Sequence, residues 1–502
     1  MDAVEVELKF EMSDEAMARI GEHPAFAAPA GTSRLRSVYF DTPGRDLWGA
    51  GLGLRVRRSD DGLEQTLKTG GPGAPLRRRE WNRPVQAELP DPAALAGTPA
   101  AKVLDGDAEA LAPVFTTTVE RRRWCWTRGE DVVEVSLDQG EIASGARSEP
   151  IHELELELKA GRPEALFDLA SALNVRGRLP LLLQSKAERG YRLADDARRR
   201  PEHAAAIHIP SDTPAAAAFR EIARSCLAQV ANNAGVLRRH RSLEALHQTR
   251  VGLRRLRAAL TAFRPMVEDA EFAHIKTETK WLAGELDAAR DIDVFIHESF
   301  RSMEPQAADR AALAELGAHL LRAQKDAYER ALAALAGPRY AGLMLAVARW
   351  LEVGPWARSG ELERLRGGRA ADFAQDRLDG MRRKVCKRGR RLERLDSQSR
   401  HRLRIKAKKL RYTAEFFAES FDRRGRQRRF LEALEDLQDG LGQWHDLDVA
   451  PQLALALAHG QSAETGFAAG LIVGRRRAAT DDASRRAATA LAEFAAAKPF
   501  WR

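Results

Sequence analysis

Near residue 200 the spacing of apolar residues changes from two to about 3.6, which commits the two ends of the chain to different kinds of structure. Residues 1–195 are short alternating runs between turn signals: Thr42-Pro43-Gly44, Gly70-Gly71-Pro72-Gly73 and Asp138-Gln139-Gly140. Residues 215–499 are rich in Ala, Leu, Arg and Glu at helical spacing, with few strand signals. Residues 197–214 carry prolines and no clear period, and read as a linker. The expected fold is α+β in two domains, mostly β over 1–196 and all-α over 215–499, each long enough for its own core.

The alternation sorts charge onto one face of each run. In VEVELKF (4–10), Val4, Val6 and Leu8 point one way, and Glu5, Glu7 and Lys9 the other. In LGLRVRR that face carries Arg55 and Arg57; in LEQTLK, Glu64, Thr66 and Lys68; in VERRRWCW, Arg121 and Arg123. In VVEVSLD it carries Glu134, Ser136 and Asp138, and in IHELELELK, Glu153, Glu155, Glu157 and Lys159. One wet face is ordinary in an antiparallel sheet. Here, however, some runs offer only bases and others mainly acids, and Glu recurs at every second position although strands disfavour it. If the runs close into a barrel with these faces inward, acids and bases line one tunnel. Such carboxylates suit Mg²⁺ or Mn²⁺, and such bases suit a phosphate chain.

Bulk composition narrows the partners. The net charge is +9, yet residues 381–411 hold fifteen Lys/Arg against two acids, which leaves the rest of the chain net negative by about four. So concentrated a basic segment points to a polyanion. Aromatic residues are 6% of the chain and are absent from 381–411, so the platforms that stack RNA bases are missing there and nucleic acid is disfavoured. No run of eighteen apolar residues predicts a membrane span. No secretion signal is read at the N-terminus, and Cys125, Cys226 and Cys386 are too scattered for a disulfide framework or zinc site, so a cytoplasmic location is expected.

Glu5-x-Glu7-x-Lys9 resembles the signature of the CYTH domain, or triphosphate tunnel metalloenzymes. The match continues in order through VYFDTP (38–43), LGLRVR (52–57), QTLK (65–68), RREWN (78–82), SLDQGEI (136–142), ELELELK (153–159) and SKAERGY (185–191), and is strongest for the inorganic triphosphatase branch. The resemblance implies an eight-stranded antiparallel tunnel with peripheral helices. Glu5 and Glu7 would bind Mg²⁺ or Mn²⁺, helped by an acid of the Glu153/Glu155/Glu157 ladder, Glu155 and Glu157 being favoured. Lys9, Arg55, Arg57, Lys68, Arg79, Arg121, Arg123, Lys186 and Arg189 would hold the triphosphate, Arg79 within a run, Arg77-Arg78-Arg79, that allows a register error. The implied reaction is hydrolysis of inorganic triphosphate to pyrophosphate and phosphate, with water attacking the terminal phosphorus.

The helical half repeats. HQTRVGLRRLRAALTAF (247–263) aligns with HRLRIKAKKLRYTAEFF (401–417) at an offset of 154, and LAGELDAARDID (282–293) with LQDGLGQWHDLD (437–448) at 155. Steps of three and four put His247, Arg250, Arg254 and Arg257 on one helix face, and His401, Arg404, Lys408 and Arg411 on the other repeat's equivalent. Leu253, Leu256, Ala407 and Leu410 fall off those stripes and can pack inward. A solvated basic face is the ordinary reading of one such helix; the duplicated stripe with its histidine points to a basic groove. The Asp pairs 291/293 and 446/448 are read as caps or partners of the stripe arginines, since i,i+2 positions on a helix do not face each other. The basic run 382–394 reads equally as an extension of the groove or a solvated face. The repeated pair resembles the CHAD domain, over about 215–495, which implies a helical bundle that binds inorganic polyphosphate through the two stripes, and offers polyphosphate granules as a place to be recruited. Two other readings remain open: a nucleoside triphosphatase or adenylate cyclase on the same tunnel, and a non-catalytic polyphosphate scaffold.

Overall fold

The period-two runs form eight antiparallel strands: β1 (Ala3–Glu11), β2 (Gly31–Asp41), β3 (Leu52–Ser59), β4 (Gly62–Thr69), β5 (Arg77–Pro84), β6 (Ala112–Arg128), β7 (Asp131–Ser144) and β8 (Arg147–Ala160). They close into a barrel in the order β1-β5-β4-β3-β2-β6-β7-β8. The structure is a computed structural model that describes residues 3–20, 26, 31–70, 77–105, 108–174, 179–303, 309–358, 360–478 and 480–502, without the side chains of 3–5, 77–78, 108 and 477–478.

Asp138-Gln139-Gly140 is not a turn. It lies inside β7, where a Cβ on Gly140 would meet the Thr118 carbonyl oxygen at 1.9 Å, so this glycine permits close approach of neighbouring strands. The turn after β7 instead uses Gly145, with φ +57. The Gly70–Gly73 signal falls at the edge of, and mostly outside, the described residues.

Among the described residues the barrel strands are joined or followed by helices α1 (Asp14–Ile20), α2 (Asp46–Gly49), α3 (Pro99–Leu104), α4 (Glu164–Leu173) and α5 (Lys186–Ala194). The apolar set of each strand packs outward. Val38, Phe40, Leu54, Val56, Leu67 and Trp81 form one buried cluster with Leu47 of α2 and Ala100 and Leu104 of α3. Leu8, Leu154 and Leu156 are buried on β1 and β8, and α4 packs against this side of the barrel.

One end of the lumen is apolar. Tyr39, Phe115, Val119, Ile142 and Ile151 pack there with Tyr191 and Leu193 of α5. Buried Asp41 fixes the arrangement: it accepts backbone N–H bonds from Leu47 and Trp48, both 3.0 Å, and the Tyr191 hydroxyl at 2.9 Å.

The helical half comprises α6 (Ala215–Arg239), α7 (Leu243–Val267), α8 (Phe272–Phe295), α9 (Arg310–Ala336), α10 (Pro338–Val353), α11 (Glu363–Gly367), α12 (Ala370–Gly389), α13 (Ser397–Phe416), α14 (Arg424–Ala458), α15 (Ala463–Ala478) and α16 (Thr480–Ala496). The repeat falls on two helix pairs, α7–α8 and α13–α14. Among the described residues no single helix is long and apolar enough to cross a membrane. Spatially the chain forms two compact units: Met1–Ala205 with Arg224–Gly252 and Leu335–Gly354, and Ala206–Ala223 with Leu253–Ala334 and Pro355–Arg502.

Candidate active site and a basic helical face

The charged residues of the barrel strands meet inside it in rows. Register sets Glu7 opposite Glu157, and Lys9 opposite Glu155. Across the next pairs Glu134 lies opposite Glu157, Asp138 opposite Glu153, and Arg121 opposite Asp138. Like charges facing each other in a sheet destabilise it unless a counter-charge intervenes.

At one level the counter-charges come from the protein. Lys186, at the start of α5, places Nζ 2.6 Å from Glu153, 2.8 Å from Glu155 and 2.8 Å from Asp138. Arg121 donates to both oxygens of Asp138 at 2.6 Å and to Glu155 at 2.5 Å. Lys9 is 3.1 Å from Glu155 and 3.0 Å from Glu7. Arg189 donates to Glu153, and to Glu149 at 2.8 Å. Burial pushes the Glu155 carboxyl up, but Lys186, Lys9 and Arg121 outweigh it and hold the group well below the usual carboxylate range. Burial alone would depress the Lys186 ammonium; Asp138, Glu153 and Glu155 raise it instead.

The opposite wall is basic. Arg55 and Arg57 of β3 lie beside buried Tyr39, whose hydroxyl is 3.5 Å from Arg55 Nη1. Burial, Arg55 and Arg121 push the Arg57 guanidinium down to about 10. Its Nε is buried with no hydrogen-bond partner among the described residues. Burial would raise the Tyr39 phenol, but Arg55, Arg57 and Lys186 lower it. Lys68 pairs with Glu80 of β5 at 3.0 Å, a carboxylate the sequence reading did not single out.

Not every expected residue joins this cluster. Arg123 is exposed, two positions beyond Arg121 on the same strand face. Arg79 is exposed and alternates with Glu80, so the register of Arg77-Arg78-Arg79 turns it away from Lys68. Glu5 pairs with Arg78 by backbone register, but its side chain lies outside the described residues.

Two sets of three carboxylates line the lumen. Ligand atoms of Asp138, Glu153 and Glu155 lie within 4.8 Å of one another, but the Lys186 ammonium already sits among them. Glu7, Glu157 and Glu134 form a transverse row across β1, β8 and β7, with Lys159 2.7 Å from Glu157 and 3.9 Å from Glu134. Oxygen donors of this kind suit Mg²⁺ or Mn²⁺, but among the described residues only Asp138, Glu153 and Glu155 bring three ligand atoms within 4.8 Å of one another, so this row would have to draw together around a cation. Asp138 and Glu134 were on the charged faces read from sequence, but which acids share a row is fixed only by register.

In the helical half, α7 carries His247, Arg250, Arg254 and Arg257, and α13 carries His401, Arg404, Lys408 and Arg411. Leu253, Leu256, Ala407 and Leu410 are buried. Within the second unit the two helices meet: Lys409 donates to Thr261 at 3.0 Å, and the Arg404 guanidinium is lowered by burial and by Arg254, with Asp446 and Asp291 opposing. Arg411 is paired with Glu415 at 3.0 Å and Glu435 at 2.9 Å. His445 on α14 was missed: its ring centroid is 4.7 Å from that of His401, and burial with Arg404 and His401 pushes it down to about 4. The signal was available, because the repeat alignment sets His445 against another base, Arg290.

The Asp pairs divide. Asp293 accepts from Gln324 at 2.7 Å and Tyr328 at 2.8 Å, and Asp448 from Ser397 at 2.8 Å and Arg400 at 2.7 Å. Asp291 and Asp446 are the members whose charge reaches Arg404. Within the run 382–394, Arg382 caps the end of α16 through the Ala495 carbonyl at 2.8 Å.

The family model of the CYTH domain matches residues 3–191, and that of the CHAD domain residues 221–455. The chain is therefore a fusion of a CYTH domain and a CHAD domain. It is 36% identical over 162 residues to a protein of Haemophilus influenzae named inorganic triphosphatase; the match spans 32% of this chain and 46% of that protein, under half its length. An uncharacterised protein of Mycobacterium tuberculosis is 26% identical over 451 residues, 82% of each chain. The solved CHAD domain of the plant Ricinus communis is 31% identical, with a TM-score of 0.52, and covers 58% of this chain and 96% of that one.

Proposed function

We propose that the barrel hydrolyses inorganic triphosphate to pyrophosphate and phosphate, and that the CHAD domain binds inorganic polyphosphate. The observation that carries the reading is Arg57. It is a half-buried guanidinium beside Arg55, pushed down to about 10 by burial, Arg55 and Arg121 although Glu64 lies across the ladder and Glu155 opposes the shift, and its buried Nε has no hydrogen-bond partner among the described residues. Such a group is relieved by an anion. The name of the Haemophilus influenzae relative supports a triphosphate as that anion.

Arg55 and Arg57 would clamp phosphoryl oxygens from one wall, with Lys9, Lys68, Arg121, Lys186 and Arg189 supplying charge from the others and Arg123 at the rim. These fixed cations oppose the charge that builds on the phosphoryl oxygens, so positioning and electrostatics provide most of the acceleration. Glu7 and Glu157, with Glu134, would hold a divalent cation. The family resemblance would add Glu5 to that set, and Glu155 would join it only by leaving Lys9 and Lys186. The chemistry a bound Mg²⁺ or Mn²⁺ supplies is neutralisation of phosphoryl charge and orientation of the attacking water.

The stripes of α7 and α13 would take polyphosphate, with His445 as a further member, and would recruit the protein to polyphosphate granules. Replacing Glu5 and Glu7 by Gln tests the enzymatic reading. Metal-dependent turnover of triphosphate should vanish with the circular-dichroism spectrum unchanged; full activity would sink the proposal.

A further inference from the structure

A cavity of about 340 Å³ lies in the first compact unit, beyond the charged rows of the lumen. Its lining includes Arg189, Arg192, Arg198, Arg199, Arg239 and His240. The two carboxylates that also line it are already matched. Glu149 pairs with Arg189 at 2.8 Å, and Glu11 with Arg238 at 2.7 Å and Arg239 at 3.6 Å. Arg192 is held by Glu202 at 2.7 Å, and Arg198 donates to the Ser148 carbonyl at 3.0 Å. Positive charge is left over: Arg198 and Arg199 face no carboxylate of the lining, and Arg239 shares Glu11 with Arg238. The surroundings register the excess: the His240 imidazole is lowered by partial burial and by Arg199, Arg239 and Arg198.

We propose that this cavity is a second anion site, separate from the tunnel, that takes a short condensed phosphate of two or three units. Planar guanidinium forks on several walls match the bidentate geometry of phosphoryl groups. The volume falls at the small end of ligand pockets and exceeds what one phosphate fills. Among the described residues no Phe, Tyr or Trp lines it, so a nucleotide base finds no platform there. Arg189 faces the cavity and also holds Glu153 in the lumen, which places an occupant one residue from the tunnel's acid cluster. The site extends the triphosphatase reading but does not rest on it, because binding is measured apart from turnover.

The test is calorimetric titration of diphosphate into the full chain in chelator, with Arg55→Ala and Arg57→Ala present to silence the tunnel. That protein should bind about one equivalent. Adding Arg199→Ala and Arg239→Ala should weaken binding at least tenfold, while Arg199→Lys with Arg239→Lys, which keeps the charge but loses the bidentate fork, should weaken it by a smaller factor. Raised salt should weaken the remaining interaction. The idea is overturned if the tunnel-silenced chain takes no diphosphate. It is equally overturned if Arg199→Ala with Arg239→Ala leaves binding unchanged, since the ligand then sits elsewhere, for instance on the helical stripes. In the otherwise native chain that pair of substitutions should leave triphosphate cleavage within twofold, so failure of this site and failure of the tunnel reading are told apart.

Discussion

The ammonium of Lys186 lies 2.6 to 2.8 Å from three carboxylates that register would otherwise press together. Removing one partner of a buried ion pair typically costs about 3–5 kcal/mol because the other charges are left uncompensated. Lys186→Ala should therefore lower stability by that order in urea unfolding at pH 7, besides abolishing triphosphate turnover. Glu155 has its folded pKa depressed, so it contributes stability above the ordinary carboxylate value of about 4.3 and loses it as pH falls through the lowered value. Unfolding measured at pH 7, 5 and 3.5 should show that contribution intact at the first two and declining at the third. Gly190 gives a steric test: an added Cβ would meet the Phe115 ring at 2.1 Å. Gly190→Ala should cost about 1–3 kcal/mol by displacing α5 from the apolar end of the lumen, read as a lower midpoint with an unchanged m-value.

At the scale of elements, strand alternation made much of the barrel legible. A period of two leaves Glu7, Lys9, Arg55, Arg57, Lys68 and Arg121 no choice of face once Leu8, Leu54, Val56 and Leu67 are buried outside. Lys186 and Arg189 were different. They sit on a helix, and nothing in its own pattern says that it closes a barrel end; only the family resemblance suggested their place. Gly140 misled because a glycine at a tight strand crossing looks like one in a turn. Arg79 misled because three consecutive arginines hide the register. On the helices the 3.6 period identified both stripes, but His445 enters from α14 through tertiary packing. Its imidazole, held near 4 by burial, Arg404 and His401, is neutral at pH 7. A polyanion beside it would raise that value, so binding takes up protons. Polyphosphate affinity should rise as pH falls from about 6.5 toward 5, and His445→Ala should flatten the dependence in a fluorescence titration.

For the molecule as a whole, the division into a β part and an α part followed from the change of period. The composition of the first compact unit did not. That unit includes Arg224–Gly252 and Leu335–Gly354, which lie far along the helical half. Arg238 pairs there with Glu11 at 2.7 Å, and Asn232 donates to Glu202 at 2.7 Å. A chain ending at residue 205 should therefore melt several degrees lower than the same barrel in the full protein, since about 1 kcal/mol corresponds to roughly 2–4 °C at this size. On the proposed function, the lumen's bases hold triphosphate for hydrolysis. The most direct measurement is phosphate release from inorganic triphosphate by the full chain, with Mg²⁺, with Mn²⁺ and with chelator, beside ATP and long-chain polyphosphate. Triphosphate should be cleaved fast and only with metal, and the activity should be lost in Arg55→Ala with Arg57→Ala. No cleavage of triphosphate, or cleavage of ATP in its place, would contradict that function.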